Sequence, residues 1–306
     1  MQRSTNIARL LILESLATHL MTATFAYAAA EPVTVQRQPL IRLLEEEMQA
    51  NTNWVRIHAA EALIQHGCTN SVAKIFAPLV AKENPAAQIG EWRIMAQAAE
   101  TEAQRRASVA LIRQALLDEH SPVRLQAAES LAKLGSVAIT DRAVLERWLK
   151  DADEATAPFV LWLLALSSSA EDRASVEARL AKLLGFNNPI ARLRTAFALG
   201  RLKTLSPTSF QQLTERTRRE SSDSPARVYL IAAQLLHEEE ETARQELIKQ
   251  LAVYLNSAKP NEQLEAATVL GMRGTVEERP GLMRLLQSRE PDARIGAANG
   301  LLHLLR

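Results

Sequence analysis

A short helix-forming phrase returns eight times along this 306-residue chain, at intervals of 31 to 37 residues. Each copy has a small or apolar residue, usually an Arg, an Ala-rich run and then a Leu. The clearest copies are Val55-Arg56-Ile57-His58-Ala59-Ala60-Glu61-Ala62-Leu63 and Val123-Arg124-Leu125-Gln126-Ala127-Ala128-Glu129-Ser130-Leu131, with Ala191-Arg192 to Leu199 and Ala293-Arg294 to Leu301 close behind. Self-similarity at this period signals a stack of helix pairs, because one pair cannot bury its apolar face without a neighbour. Hydrophobic residues make up 47% of the chain but aromatics only 4%, which suits close-packed Ala- and Leu-rich helices and argues against strands built from aromatic and β-branched residues. The expected fold is all-α: an α-solenoid, a right-handed superhelix of about eight helix pairs.

The first thirty residues differ from the rest. Arg3 and Arg9 precede an apolar run from Leu10 to Ala30 that ends in small residues, the layout of a secretory signal peptide, although Glu14 and His19 interrupt it. The expected organisation is a signal peptide over 1–30, a repeat domain over 31–306, and export to the periplasm or cell envelope with no transmembrane span in the mature chain. Cleavage after Ala30 leaves 34 basic and 34 acidic residues. That balance argues against nucleic-acid binding, which draws on a basic excess. The single Cys68 permits no intrachain disulfide.

Capping chemistry marks the helix starts. Ser121-Pro122, Asn188-Pro189 and Ser224-Pro225 each set a side-chain acceptor before a proline, and Gly67, Gly135 and Gly200 fit left-handed helix ends. Second helices are expected over Ala143 to Lys150 and Leu247 to Leu255. Arg93 continues the Arg series in a second copy running from Trp92, Arg227 and Gln263 in the sixth and seventh. In the fourth copy Pro158 holds the Arg position.

These phrases resemble the HEAT repeat family, specifically the short HEAT-like type also found in phycobilin lyases, over about Pro39 to Arg306. The resemblance implies that the phrase-bearing helices line the concave side of a curved superhelix; members serve as scaffolds, lyase subunits, hydroxylases and DNA-repair enzymes. Leu40 to Met48 reads as a half repeat capping the N-terminal end. Leu301-Leu302-His303-Leu304-Leu305 leaves apolar surface at the other end, for a docked partner or an end-to-end dimer.

On a helical wheel of the third copy, Gln126, Glu129 and Lys133 form the polar stripe between two apolar faces. The same positions elsewhere predict a concave lining. It runs through His58, Glu61 and Gln65; Met95, Ala98 and Glu102; Val160 and Leu163; Arg194, Phe197 and Arg201; Tyr229, Ala232 and Leu236; Glu265, Thr268 and Met272; and Gly296, Asn299 and His303. Aromatic and Arg side chains on a solvated stripe have the composition of binding hot spots, so partner contact is expected at Arg194, Phe197, Arg201 and Tyr229.

No catalytic constellation and no metal or cofactor site emerges. The repeated Arg is expected to pair with acidic groups of the next repeat rather than form an anion ladder. Glu45 to Glu47 and Glu238 to Glu241 read as solvated faces, and the four Trp residues as packing. Diiron HEAT-like hydroxylases use repeated His-Glu dipeptides, whereas this chain has only His237-Glu238. Cys68 follows a turn glycine with no basic partner in view. The expected function is a noncatalytic scaffold that binds another protein or a peptide through its concave surface. The alternatives are a bilin-lyase-like or accessory enzyme subunit and, more weakly, a nucleic-acid-binding HEAT protein.

Overall fold

A computed structural model describes residues 35–76, 84–135 and 142–306, apart from the side chains of 170 and 171. Residues 1–30, read above as a signal peptide, lie outside the described residues. Among those described there are sixteen α-helices and no strands. The phrase-bearing helices are α2 (Asn53–Gln65), α4 (Pro85–Ala98), α6 (Arg124–Leu134), α8 (Ala157–Ser167), α10 (Pro189–Gly200), α12 (Arg227–His237), α14 (Pro260–Arg273) and α16 (Pro291–Leu304). Alternating with them are α1 (Arg37–Ala50), α3 (Thr69–Phe76), α5 (Glu102–Leu117), α7 (Arg142–Asp151), α9 (Ala170–Lys182), α11 (Pro207–Arg219), α13 (Glu241–Ala252) and α15 (Arg279–Leu285).

Within Gln36–Arg306, each even-numbered helix packs on the next, and the series does not stay open: α16 packs on both α1 and α2. The even helices therefore make an inner ring and the odd ones an outer layer. This closure alters two expectations. Leu301 and Leu302 are fully buried, so most of the apolar C-terminal end meant for a dimer is covered by the chain itself, with Leu305 left exposed. Residues Leu40, Ile41, Leu44 and Met48 of α1 are buried as well, so the expected N-terminal cap is one side of an internal seam.

Asn188 accepts from the amides of Ile190 (2.9 Å) and Ala191 (3.4 Å), with Pro189 in the first helical turn as expected. Asn84-Pro85 and Ser206-Pro207 repeat the device. Ser121-Pro122 and Ser224-Pro225 sit one turn earlier, in tight turns before Arg124 and Arg227. Gly67 and Gly135 are left-handed, with φ of 82° and 58°, but Gly200 is the last residue of α10 and serves another end. A Cβ there would stand 3.2 Å from the Ala233 Cα, so the glycine lets α10 and α12 approach closely.

In four copies the recurring Arg has a shared task that its sequence context conceals, while Arg56 reaches forward to Ile75 O of α3 at 3.3 Å. Arg124 donates to Leu116 O (2.8 Å), Arg192 to Phe186 O and Asn187 O (both 2.7 Å), Arg227 to Thr217 O and to Glu220 O (2.8 Å), and Arg294 to Ser288 O (2.8 Å) and Arg289 O (3.0 Å). Each guanidinium thus satisfies carbonyls left free where the preceding outer helix ends. Gln263 does the same at Leu255 O, at 3.4 Å. The expected pairing with acidic groups is partial: Arg56 meets Glu91 (3.0 Å), Arg192 meets Glu220 (2.6 Å) and Arg294 meets Glu47 (2.5 Å). Arg124 instead stacks on Trp148, 4.1 Å from its ring centre.

Candidate functional site at the centre of the ring

Seven of the eight inner helices contribute to one central cavity of about 350 Å³. Its wall includes His58, Glu61, Gln65, Gln97, Lys133, Trp162, Phe197, Arg201, Glu265, Thr268 and Asn299. Five copies bring a residue of the expected phase to the cavity; the sixth, with Tyr229, Ala232 and Leu236 on α12, brings none. The positions two, five and nine residues after the shared Arg or Gln are the ones that converge there.

Two copies are corrected. In the second, the helix starts at Pro85, so Gln88 rather than Arg93 holds the Arg position, and the inward positions become Gly90, Arg93 and Gln97. Arg93 reaches Glu61 at 2.7 Å and Ser130 Oγ at 2.9 Å. Met95 and Ala98 instead line a separate cavity of about 460 Å³ with Phe76 and Leu111, while Glu102 opens α5 at the surface and pairs with Arg106. The matching Asn84-Pro85 and Asn188-Pro189 caps were the signal for this register. In the fourth copy Ala157 takes the Arg position, Pro158 follows it, and the inward residues are Phe159, Trp162 and Leu166. Val160 and Leu163 are fully buried core. Every side of α8 is apolar, so no polar stripe fixed its phase; the Asp153 side chain capping the Thr156 amide at 2.7 Å does.

Arg194, Phe197, Arg201 and Tyr229 come together as one cluster, though each is engaged within the chain. Phe197 packs edge-on to Phe159 (6.3 Å), Trp162 (6.0 Å) and Tyr229 (6.4 Å). The Arg201 guanidinium lies 3.6 Å from the Phe197 ring centre and forms a two-pronged pair with Glu265, both bonds 3.1 Å. Arg194 donates to Ala155 O at 2.7 Å and lies over Phe159 at 5.6 Å. Burial pushes the Tyr229 phenol well above its usual value, and the Glu265 charge adds to this.

The opposite wall is ionic. Lys133 pairs with Glu129 (3.1 Å) and Glu61 (3.6 Å), and its ammonium stands 5.4 Å from the Phe197 ring centre. Burial alone would raise the Glu61 carboxyl, but Arg93, Lys133 and His58 outweigh it and hold it down at about 2. The centre thus sets a charge-paired wall against an aromatic one. The Glu129 carboxyl is lowered in the same way.

The remaining candidates have structural partners. His237 donates to Leu199 O at 3.0 Å, Glu47 binds Arg294, and Glu240 caps the start of α13. Burial pushes the Cys68 thiol up, away from the thiolate that nucleophilic chemistry needs. Among the described residues no group of three or more His, Cys, Asp or Glu is placed to hold a metal, and no helix is long and apolar enough to cross a membrane.

No family model matches the chain, and no curated protein matches it. Among solved structures, an engineered protein is similar at 18% identity over 87% of this chain and 78% of its own, with a TM-score of 0.35. A likeness at that level bears on neither fold nor function.

Proposed function

We propose that Gln36–Arg306 is a noncatalytic binding module of the HEAT-like solenoid type, its helix pairs wound into a ring, which holds an extended segment of another protein against its inner wall. The observation that carries this reading is the cluster of Arg194, Phe197, Arg201 and Tyr229 with Phe159 and Trp162, of which Trp162, Phe197 and Arg201 line the central cavity. Aromatic and Arg anchors in a largely desolvated pocket are the usual source of binding energy at interfaces. The charges around them are paired internally, which favours an uncharged segment over a nucleic acid or an acidic peptide. Binding would be multipoint and preformed, without bond chemistry. With the signal-like leader over 1–30, the place of action in this reading is the cell envelope.

The test is photo-crosslinking in the native host, with the full chain carrying a crosslinking residue at Gln97. Capture should yield one specific envelope protein. The variant F197L, combined with R194Q, should lose it while keeping the wild-type helical circular dichroism at the assay temperature. Capture of the same proteins by a folded variant, or of none by the wild type, would sink the proposal.

A further inference from the structure

The ring closes through a seam unlike its other joints. His66, the residue that ends α2, stacks edge-on against His303 of α16, with ring centres 4.7 Å apart. His66 Nε2 meets Asn299 Oδ1 at 2.8 Å, and Asn299 also donates to Gln65 Oε1 at 3.3 Å and to the uncharged Thr268 of α14 at 3.4 Å. Two guanidinium groups crowd this histidine pair. Arg306 Nη2 stands 3.1 Å from His66 Nδ1, and Arg37 of α1 donates to His66 O at 2.5 Å. Beyond them, Arg37 and Glu45 both act on the neighbouring Cys68. On its far side α16 receives Leu282 of α15 next to Gly300. No carboxylate is bonded to either imidazole among the described residues. His303 Nε2 is buried with no hydrogen-bond partner.

We propose that this seam is an acid-released latch: protonation of His66 and His303 separates the last helix pair from the first and opens the ring, exposing the inner wall. Two imidazolium ions in contact, flanked by Arg37 and Arg306, repel one another in the closed form and are relieved once the ends part. His58 of α2 and Asp292 of α16 also meet across the two ends, at 2.9 Å. The Arg294–Glu47 pair at 2.5 Å also ties the two ends together.

Both imidazoles are held below the ordinary histidine value of 6.5, His303 at about 4. Burial is the main cause. For His66, Arg306 and Arg37 add to it while the Asn299 bond works against it; for His303, the added causes are His66 and Arg306. Parted ends therefore bind protons more readily than closed ones. Closure is fully favoured above about pH 6.5 and weakens progressively as the pH falls toward the closed-state values. Around pH 5 Glu61, held at about 2, stays ionised, whereas burial raises the Glu91 carboxyl beside Arg56, so a control joint and a histidine variant are what separate the histidine effect from carboxylate protonation. The inference does not depend on what the ring binds.

The test is distance measurement by paired spin labels on the full chain carrying C68S. Labels at Glu46→Cys and Arg289→Cys span the seam; labels at Lys249→Cys and Arg284→Cys span a joint away from it. Between pH 7.5 and 5.0 the seam distance should lengthen by about 10 Å or more, one interhelical spacing, with the control distance and helical circular dichroism unchanged. The H66Q/H303Q variant should keep its pH 7.5 distance at pH 5.0. An invariant seam in the wild type, a control distance that lengthens in step or an acid-opened H66Q/H303Q variant would each overturn the latch.

Discussion

The joint between α14 and α16 and the seam between α16 and α2 lie on either side of one helix, yet they are built from different forces. At the first, a Cβ on Gly271 would stand 2.3 Å from the Gly300 Cα, and one on Gly300 would stand 2.4 Å from Ala267 O. The two backbones touch, and the joint is held by dispersion between surfaces that no titration alters. At the second, the contact is made by side chains: His66, His303, Asn299, Arg306 and the Arg294–Glu47 pair. Consecutive pairs are brought together by short connections, so close packing suffices. The ends are more than 230 residues apart in sequence, and beside the apolar contacts of α16 with α1 and α2 their meeting is specified by directional bonds. Stability in such arrays is a sum of neighbouring interfaces, so the weaker joint can part while the others hold.

The largest effect should come from filling the close joint. Gly300→Ala forces a methyl against the Ala267 carbonyl, a backbone group that cannot swing away, and should cost about 3 kcal/mol in urea unfolding. A loss under 1 kcal/mol would show that the two helices are not in backbone contact.

A smaller and more local effect is expected at the seam. Arg294→Ala removes the Glu47 pair and two carbonyl contacts and leaves a buried carboxylate with Asn51 as its remaining donor, at a cost of about 2 kcal/mol. Hydrogen exchange should show amide protection falling in α1 and α16 while α10 and α12 keep theirs. A uniform fall would mean that the ring unfolds as one unit and that the contrast between joints has no energetic content.

The smallest effect sharpens the shared role of the Arg position. Gln263→Arg replaces a neutral 3.4 Å contact to Leu255 O with a charged donor and should stabilise by about 0.5 kcal/mol. Destabilisation would refute carbonyl satisfaction as the reason for the recurring Arg.

Legibility of the site in the sequence followed the polarity of each helix. Gln126, Glu129 and Lys133 stand out on a helix with two apolar faces, so their inward phase could be read and carried to Arg194, Phe197 and Tyr229. The α8 sequence, Ala-Pro-Phe-Val-Leu-Trp-Leu-Leu-Ala-Leu-Ser, offers no polar reference. One residue of slip there exchanged Val160 and Leu163 for Phe159 and Trp162. In α4 the buried Arg93 resembled a repeat signature because an Arg follows an aromatic, whereas its burial answers Glu61 across the centre.

The sequence by itself determined the helices, their alternation and, for most copies, the face each turns inward, because these follow from local capping and 3.6-residue periodicity. Closure of the ring was decided only in three dimensions. It depends on curvature accumulated over every pair and on contacts such as His66 with Asn299, between residues whose separation in the chain leaves no periodic trace.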